Sequence, residues 1–137
     1  MIKYALDTNV ISDYLRENES VKNHIVYALI NHISLLIPSI AYYEIVRGLE
    51  RINANRKLRD FYDFYESLEP IYLDRDNMEI LNMAARIYAS LCKKGQKIDD
   101  NDIYIAATAI ANDAILVTDN TKHFSRVEGL KLVNWKE

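Results

Sequence analysis

The sequence predicts a three-layer α/β/α domain built around a central, mostly parallel sheet of four to five strands. Short apolar runs alternate with longer amphipathic segments, which is the pattern of strands joined by helical crossovers. Glycine (3) and proline (2) are scarce in the 137 residues, too few for the tight turns of a sandwich or barrel. Half the residues are hydrophobic and 27% are charged, the balance of one self-sufficient globular domain over residues 1–137.

The first strand is Ile2–Leu6, an apolar run that stops at Asp7-Thr8-Asn9. A short helix follows from Val10 to Arg16, with Val10, Ile11, Tyr14 and Leu15 on one side. Val21, Ile25, Ala28 and Leu29 mark the next helix, for which Ser20 is the expected N-cap. Ser34–Ile37 reads as the second strand, stopped by Pro38, after which Ser39 is expected to cap a helix to Ile52. Asn53–Asn55 forms a break, and Lys57–Ser67 a further helix carrying Leu58, Phe61, Tyr62 and Tyr65.

Pro70–Leu73 is the third expected strand, ended by Asp74. Ile80, Ala84, Ile87 and Leu91 then recur at i, i+4, i+7 and i+11, and Gly95 supplies the stop. A polar loop, Gln96–Asn101, leads to an alanine-rich helix over Asp102–Ala111. Ile115–Thr118 is the fourth strand and Leu130–Val133 the fifth. Repeats, low-complexity tracts and linkers are absent.

Composition excludes several classes of function. Cys92 stands alone, so no intramolecular disulfide forms, and neither CxxC nor paired histidine spacing offers a structural zinc site. The longest apolar run is far short of a membrane span, and Asp7 interrupts the N-terminal run too early for a signal peptide, so a cytoplasmic protein is expected. A net charge of −3 argues against a simple polycationic nucleic-acid binder. It leaves room for an enzyme whose acidic site holds cations that contact phosphates.

Ligands of open parallel sheets sit outside the carboxyl ends of the strands. There the sequence repeats one chemistry: Asp7-Thr8-Asn9 after the first strand, and Thr118-Asp119-Asn120 at the end of the fourth. Glu44, one turn beyond Ile40 on the helix after strand two, and Asp102, opening the alanine-rich helix, are placed to join them. Ala106, Ala107 and Ala109 let that helix approach the sheet closely enough to bring Asp102 to its edge. Converging carboxylates repel unless a cation neutralises them. Oxygen donors without His or Cys select a hard ion, Mg²⁺ or Mn²⁺. Metal-assisted hydrolysis of a phosphodiester is the chemistry such a site supports.

Other catalytic patterns are missing. No Gly-x-Ser-x-Gly occurs, and Gly48, Gly95 and Gly129 build no phosphate-cradling loop. His24, His32 and His123 lack paired-ligand spacing. A haloacid-dehalogenase phosphatase would need a second Asp where Asn9 stands. A non-enzymatic receiver-type signalling domain would need an acid pair after strand one and a Lys closer to Thr118 than Lys122.

With these residues located, the chain resembles the PIN-domain ribonucleases, and in particular the VapC toxins of toxin–antitoxin modules. The resemblance spans nearly the whole chain. It rests on Leu6-Asp7-Thr8-Asn9, on Glu44-x-x-x-Gly48, on Asp102-x-x-Ile-Ala-Ala-Thr-Ala109, and on the run from Leu116 to Leu130 closing on Trp135. It implies a metal-dependent endoribonuclease that inhibits translation, with tRNA or rRNA as substrate, and with Asp7, Glu44 and Asp102 as the acids holding Mg²⁺, or Mn²⁺ in its place. The fourth acidic position falls on Asn120, with Asp119 just before it; either residue can face the metal, and one or two ions can be held. Spacing favours Asn120, with Asp119 holding a metal-bound water. Thr8, Asn9 and Thr118 support the site. The resemblance further implies a homodimer and a VapB-type antitoxin that blocks the cleft and carries the complex to promoter DNA. A housekeeping RNA-processing nuclease of the same fold, without an antitoxin, is the alternative. Arg47, Arg51, Arg56, Lys57 and Arg59 form a basic stretch that could guide RNA. Some of the 10 tyrosines could stack on unpaired bases.

Overall fold

The computed structural model describes residues 1–137. Five strands lie in one parallel sheet, β1 (Lys3–Leu6), β2 (Ser34–Pro38), β3 (Glu69–Ile71), β4 (Ile115–Val117) and β5 (Leu132–Val133), in the order β3-β2-β1-β4-β5. Ala5 and Leu6 of β1, Leu35 to Ile37 of β2, and Leu116 and Val117 of β4 are fully enclosed, as expected for parallel strands covered on both faces.

Two helices, α1 (Thr8–Leu15) and α2 (Glu19–Ile30), connect β1 to β2. Helices α3 (Ser39–Arg51) and α4 (Asn55–Tyr65) connect β2 to β3. A 3-10 turn at Arg75–Asn77, then α5 (Met78–Lys94) and α6 (Asp100–Ala111), carry the chain from β3 back to β4. The short α7 (Thr121–Phe124) precedes β5. Helix α1 packs on α2, α3 and α4, and α3 on α4, while α5 packs on α6, the two helical layers that the right-handed rule for parallel crossovers assigns to opposite faces of this strand order. Ala106, Ala107 and Ala109 are fully buried, and α6 lies against β1, β2 and β4.

Local chemistry moves several boundaries from their expected places. Asn18, not Ser20, caps α2: its side chain accepts from the Val21 N–H at 3.0 Å, while the Ser20 hydroxyl donates to the Trp135 carbonyl. Ser39 is the first residue of α3 and not its cap; Pro38 occupies the cap position with no side-chain hydrogen bond. Pro38 also ends β2 from within, paired with Ile71 beyond the last residue that β1 contacts, where its missing N–H costs the β1–β2 ladder nothing. Pro70 lies in β3, an edge strand, the place where a sheet tolerates proline. Asp100 and Asn101 belong to α6, so Asp102 is its third residue and not its first.

Few glycines are needed because four helices end on other residues in the left-handed conformation: Glu17, His32, Asn53 and Asp113, with φ of 62°, 55°, 53° and 51°. Only α5 ends on a glycine, Gly95 at φ 65°. The tail closes the core at the far side. Trp135 stacks on His24 at 5.2 Å between ring centroids and meets Tyr4 edge-on at 4.9 Å. No helix is long and apolar enough to cross a membrane.

Candidate active site

The strand order reverses between β1 and β4. From β1 the chain proceeds to β2 on one side, and from β4 to β5 on the other, leaving a crevice at their carboxyl ends. Asp7 follows β1 directly and Thr118 follows β4 directly, so both stand at this switch point.

Asp7 is the N-cap of α1, with extended backbone and a side chain only 4% exposed as a residue. One carboxylate oxygen accepts from the Thr8 N–H at 2.7 Å, and the other from the Thr118 hydroxyl at 2.7 Å. Burial raises its pKa from 3.8 to about 6; the two hydrogen bonds oppose that rise, while the charges of Asp102 and Glu44 add to it. Asp102, half-buried, is likewise raised, first by burial and then by Glu44 and Asp99, with His123 opposing. The charge of Glu44 therefore acts on both Asp7 and Asp102, and that of Asp102 acts on Asp7.

Glu44 is held from two sides. The Thr8 hydroxyl donates to its Oε1 at 2.6 Å, and the Asn101 amide donates to its Oε2 at 3.3 Å. Arg47, one turn along α3, lies 3.8 Å from the same Oε2 and stacks its guanidinium over the Tyr43 ring. Thr8 thus joins β1's end to α3, and Asn101 joins α6 to α3. Neither contact follows from spacing; they need the packing of α3 against α1 and α6.

The fourth position divides between two neighbours. Asn120 donates its backbone N–H to the Thr118 hydroxyl at 2.9 Å, and its side-chain amide lies 3.3 Å from His123 Nδ1. Asp119 instead pairs with Lys136 at 3.5 Å. Lys136 also lies 3.6 Å from Asp13, a buried acid on α1 that Arg16 contacts at 3.3 Å. Sequence reasoning missed Asp13 and Lys136. The signal for Asp13 was available: it lies one turn on from buried Val10 in the same short helix.

The donors present suit a hard cation. All are oxygens, the carboxylates repel one another, and Asn9 Oδ1 is a buried acceptor without a hydrogen-bond partner. No three carboxylate, imidazole or thiolate groups close on a common point as a ready-made cage. Mg²⁺ does not require one, since it keeps several waters and takes one or two carboxylates together with substrate phosphate.

The basic stretch is split: Arg47 and Arg51 lie on α3, while Arg56, Lys57 and Arg59 lie on α4, all exposed. Tyr42, Tyr65 and Phe61 pack together beneath the surface, and Tyr43, Tyr62, Tyr72 and Tyr88 are exposed.

Together, the sheet's switch point and the hydroxyl-supported carboxylates beside it define an α/β/α domain with an acidic site at the sheet edge. The PIN domain profile matches residues 4–130. Ribonuclease VapC1 of Methanocaldococcus jannaschii is 33% identical over 132 residues, covering 95% of this chain and 86% of its own. The tRNA(fMet)-specific endonuclease VapC of Salmonella typhimurium is 29% identical, covering 98% of this chain and 99% of its own. The crystal structure of VapBC2 from Rickettsia felis, bound to a DNA fragment from their promoter, superposes with a TM-score of 0.88 at 30% identity over 98% of this chain and 99% of that one. The chain belongs to the PIN-domain family, among its VapC members.

Proposed function

We propose that this protein is a Mg²⁺-dependent endoribonuclease, the toxin of a type II toxin–antitoxin module, which inhibits translation by cutting tRNA or rRNA. The observation that carries this reading is the pair of hydroxyl contacts at the switch point, Thr118 to Asp7 and Thr8 to Glu44, which hold two acids beside one sheet edge with Asp102 near enough for its charge to act on Asp7. The ribonuclease names of the relatives support the substrate class, and the VapBC2 complex supports an antitoxin partner and promoter DNA bound through it. A homodimer is proposed as part of the same reading.

Asp7, Asp102 and Glu44 are the residues that would hold the ion, with Asn9 two positions after Asp7 and with Asn120 tied to Asp7 through Thr118, Asp119 beside it. Bound there, Mg²⁺ supplies charge neutralisation at the scissile phosphate and acidity to an attacking water. The protein's own groups prepare that site. Thr118 directs Asp7 with one hydrogen bond, and Thr8 directs Glu44 with another, so neither carboxylate swings away to escape its neighbours. Arg47 stands at the rim of the acids and offers a cation to the incoming RNA backbone.

The test uses purified protein freed of any partner and a mixed tRNA and rRNA substrate. Cleavage is expected with Mg²⁺ or Mn²⁺ and is expected to vanish in EDTA. Asp7→Asn, Glu44→Gln and Asp102→Asn should each abolish it while the metal-free fold stays at least as stable. Full cleavage in chelator rejects the metal mechanism, and near-normal turnover in all three variants rejects the site.

A further inference from the structure

Gly48 lies inside α3 with no structural need to be glycine. Its φ is outside the left-handed region, and a Cβ built on it meets no atom within 4 Å. Neither a turn nor a close packing contact explains it, and glycine in a helix interior weakens the helix relative to alanine. Without a Cβ there, the α3 backbone at Gly48 is left open to a group from outside the chain.

What lies over Gly48 is a groove of about 260 Å³ between α1 and α3. One end is made by Thr8 and Glu44, so the groove opens directly from the acid cluster. Its walls are apolar, from Leu15, Leu49 and the exposed Ile52, with Ser12 as a single hydroxyl. Its mouth carries Arg16 and Lys57, and Lys57 has no carboxylate partner. Apart from Glu44, no acid faces it.

We propose that this groove receives the base of a nucleotide adjoining the scissile phosphate, sliding flat over Gly48. Lys57 engages the neighbouring phosphate, while Arg16, which contacts Asp13 at 3.3 Å, adds positive charge beside it. The inference rests on the ribonuclease reading and adds to it a base-specificity position. Apolar walls suit the ring faces, Ser12 can read one edge, and cations at the mouth match a phosphodiester. The groove's continuity with the acids favours RNA over a protein segment, because a base seated there holds its own phosphate beside Glu44.

Two variants and one pair of substrates test it. KM is measured on an RNA oligonucleotide that the wild type cuts and on versions made abasic on either side of the cut. The wild type should lose about tenfold or more in KM on one abasic version. Gly48→Leu, which fills the groove, should show a similarly raised KM on intact RNA and no further loss on the abasic one. Gly48→Ala should raise the melting temperature and fall between the two in KM. Equal kinetics for the wild type and Gly48→Leu on all substrates overturn the proposal. Unchanged RNA kinetics with lost inhibition by a co-purified antitoxin also overturn it, and assign the groove to a peptide. Absence of any RNA cleavage by the wild type is a separate result: it overturns the ribonuclease reading and the groove assignment with it.

Discussion

The Thr118 hydroxyl donates to Asp7 Oδ2 at 2.7 Å across 111 residues of sequence, between two side chains that solvent hardly reaches. The same oxygen accepts the Asn120 N–H at 2.9 Å, so one hydroxyl aligns the first acid and the loop carrying the fourth position. The end of β4 is thereby tied to the end of β1 through a side chain as well as through the sheet.

Thr118→Val keeps the shape and removes that oxygen. Asp7 loses a donor that holds its pKa down, and the Asn120 N–H loses its acceptor. The expected cost is about 1–3 kcal/mol of stability and about 10–100-fold in metal affinity or activity. Thr118→Ser, which retains the hydroxyl, should recover most of the metal affinity. Titration of Mn²⁺ into both variants checks this, and equal affinity in the two would reject the role given to the hydroxyl.

Asp7 makes the metal-free fold sensitive to pH. A carboxyl with a higher pKa folded than unfolded binds more protons when folded, so stability falls as pH rises between the two values. For Asp7 that window runs from 3.8 to about 6, which corresponds to about 3 kcal/mol. Asp7→Asn removes the penalty, less about 1 kcal/mol for the one hydrogen bond its amide cannot accept. In EDTA the variant should therefore be more stable than the wild type at neutral pH, with the difference shrinking as pH falls through 6 toward 4. Thermal melts across that range measure it, and a difference independent of pH would refute the assignment of the shift to Asp7.

Asp119 is engaged by Lys136 at 3.5 Å, whereas Asn120 lies against Thr118 and His123. Asp119→Ala should lower Mn²⁺ affinity less than about tenfold, and Asn120→Asp should tighten binding by adding a carboxylate. Lys136→Met leaves buried Asp13 with Arg16 alone, at a cost of about 2 kcal/mol. Calorimetric titration of the single variants decides between the neighbours. A larger loss from Asp119→Ala than from Asn120→Ala would give the ligand position to Asp119.

Ala106 is fully buried where α6 meets the sheet. Ala106→Leu should cost about 1–3 kcal/mol by overpacking. It should also lower kcat, because displacing α6 moves Asp102 and Asn101 away from Glu44. Denaturant melts and turnover on the same preparation test the coupling. Loss of stability with unchanged kcat would show that α6 can shift without moving the acids.

The strands were legible because each apolar run ends abruptly, at Pro38 for β2 and at a polar residue for the others, and β1 to β4 fall within a residue or two of their expected bounds. The sheet order was not, since nothing local says that β4 pairs with β1 and not with β3. Asp7, Glu44 and Asp102 could be singled out by position, but the hydroxyl contacts from Thr8 and Thr118 depend on the packing of distant elements. Ser20 and Ser39 misled for one reason: serine near a helix start is usually a cap, and here Asn18 and Pro38 already hold those places. Lys136 carried no signal, because Asp13 is separated from it by most of the chain and Asp119 by α7, a loop and β5, so neither pairing follows a local spacing.

The central place of β1, made first and flanked by β2 and β4, sets an order of events during translation. A growing chain can pair β1 with β2 early, yet the other edge of β1 stays open until residue 117 has emerged. Until then Asp7 has no Thr118 to orient it and α6 has not brought in Asp102. A nascent chain still attached to its ribosome therefore has the first acid but not the assembled crevice. The acids are gathered and oriented only once α6 and the end of β4 have both been made.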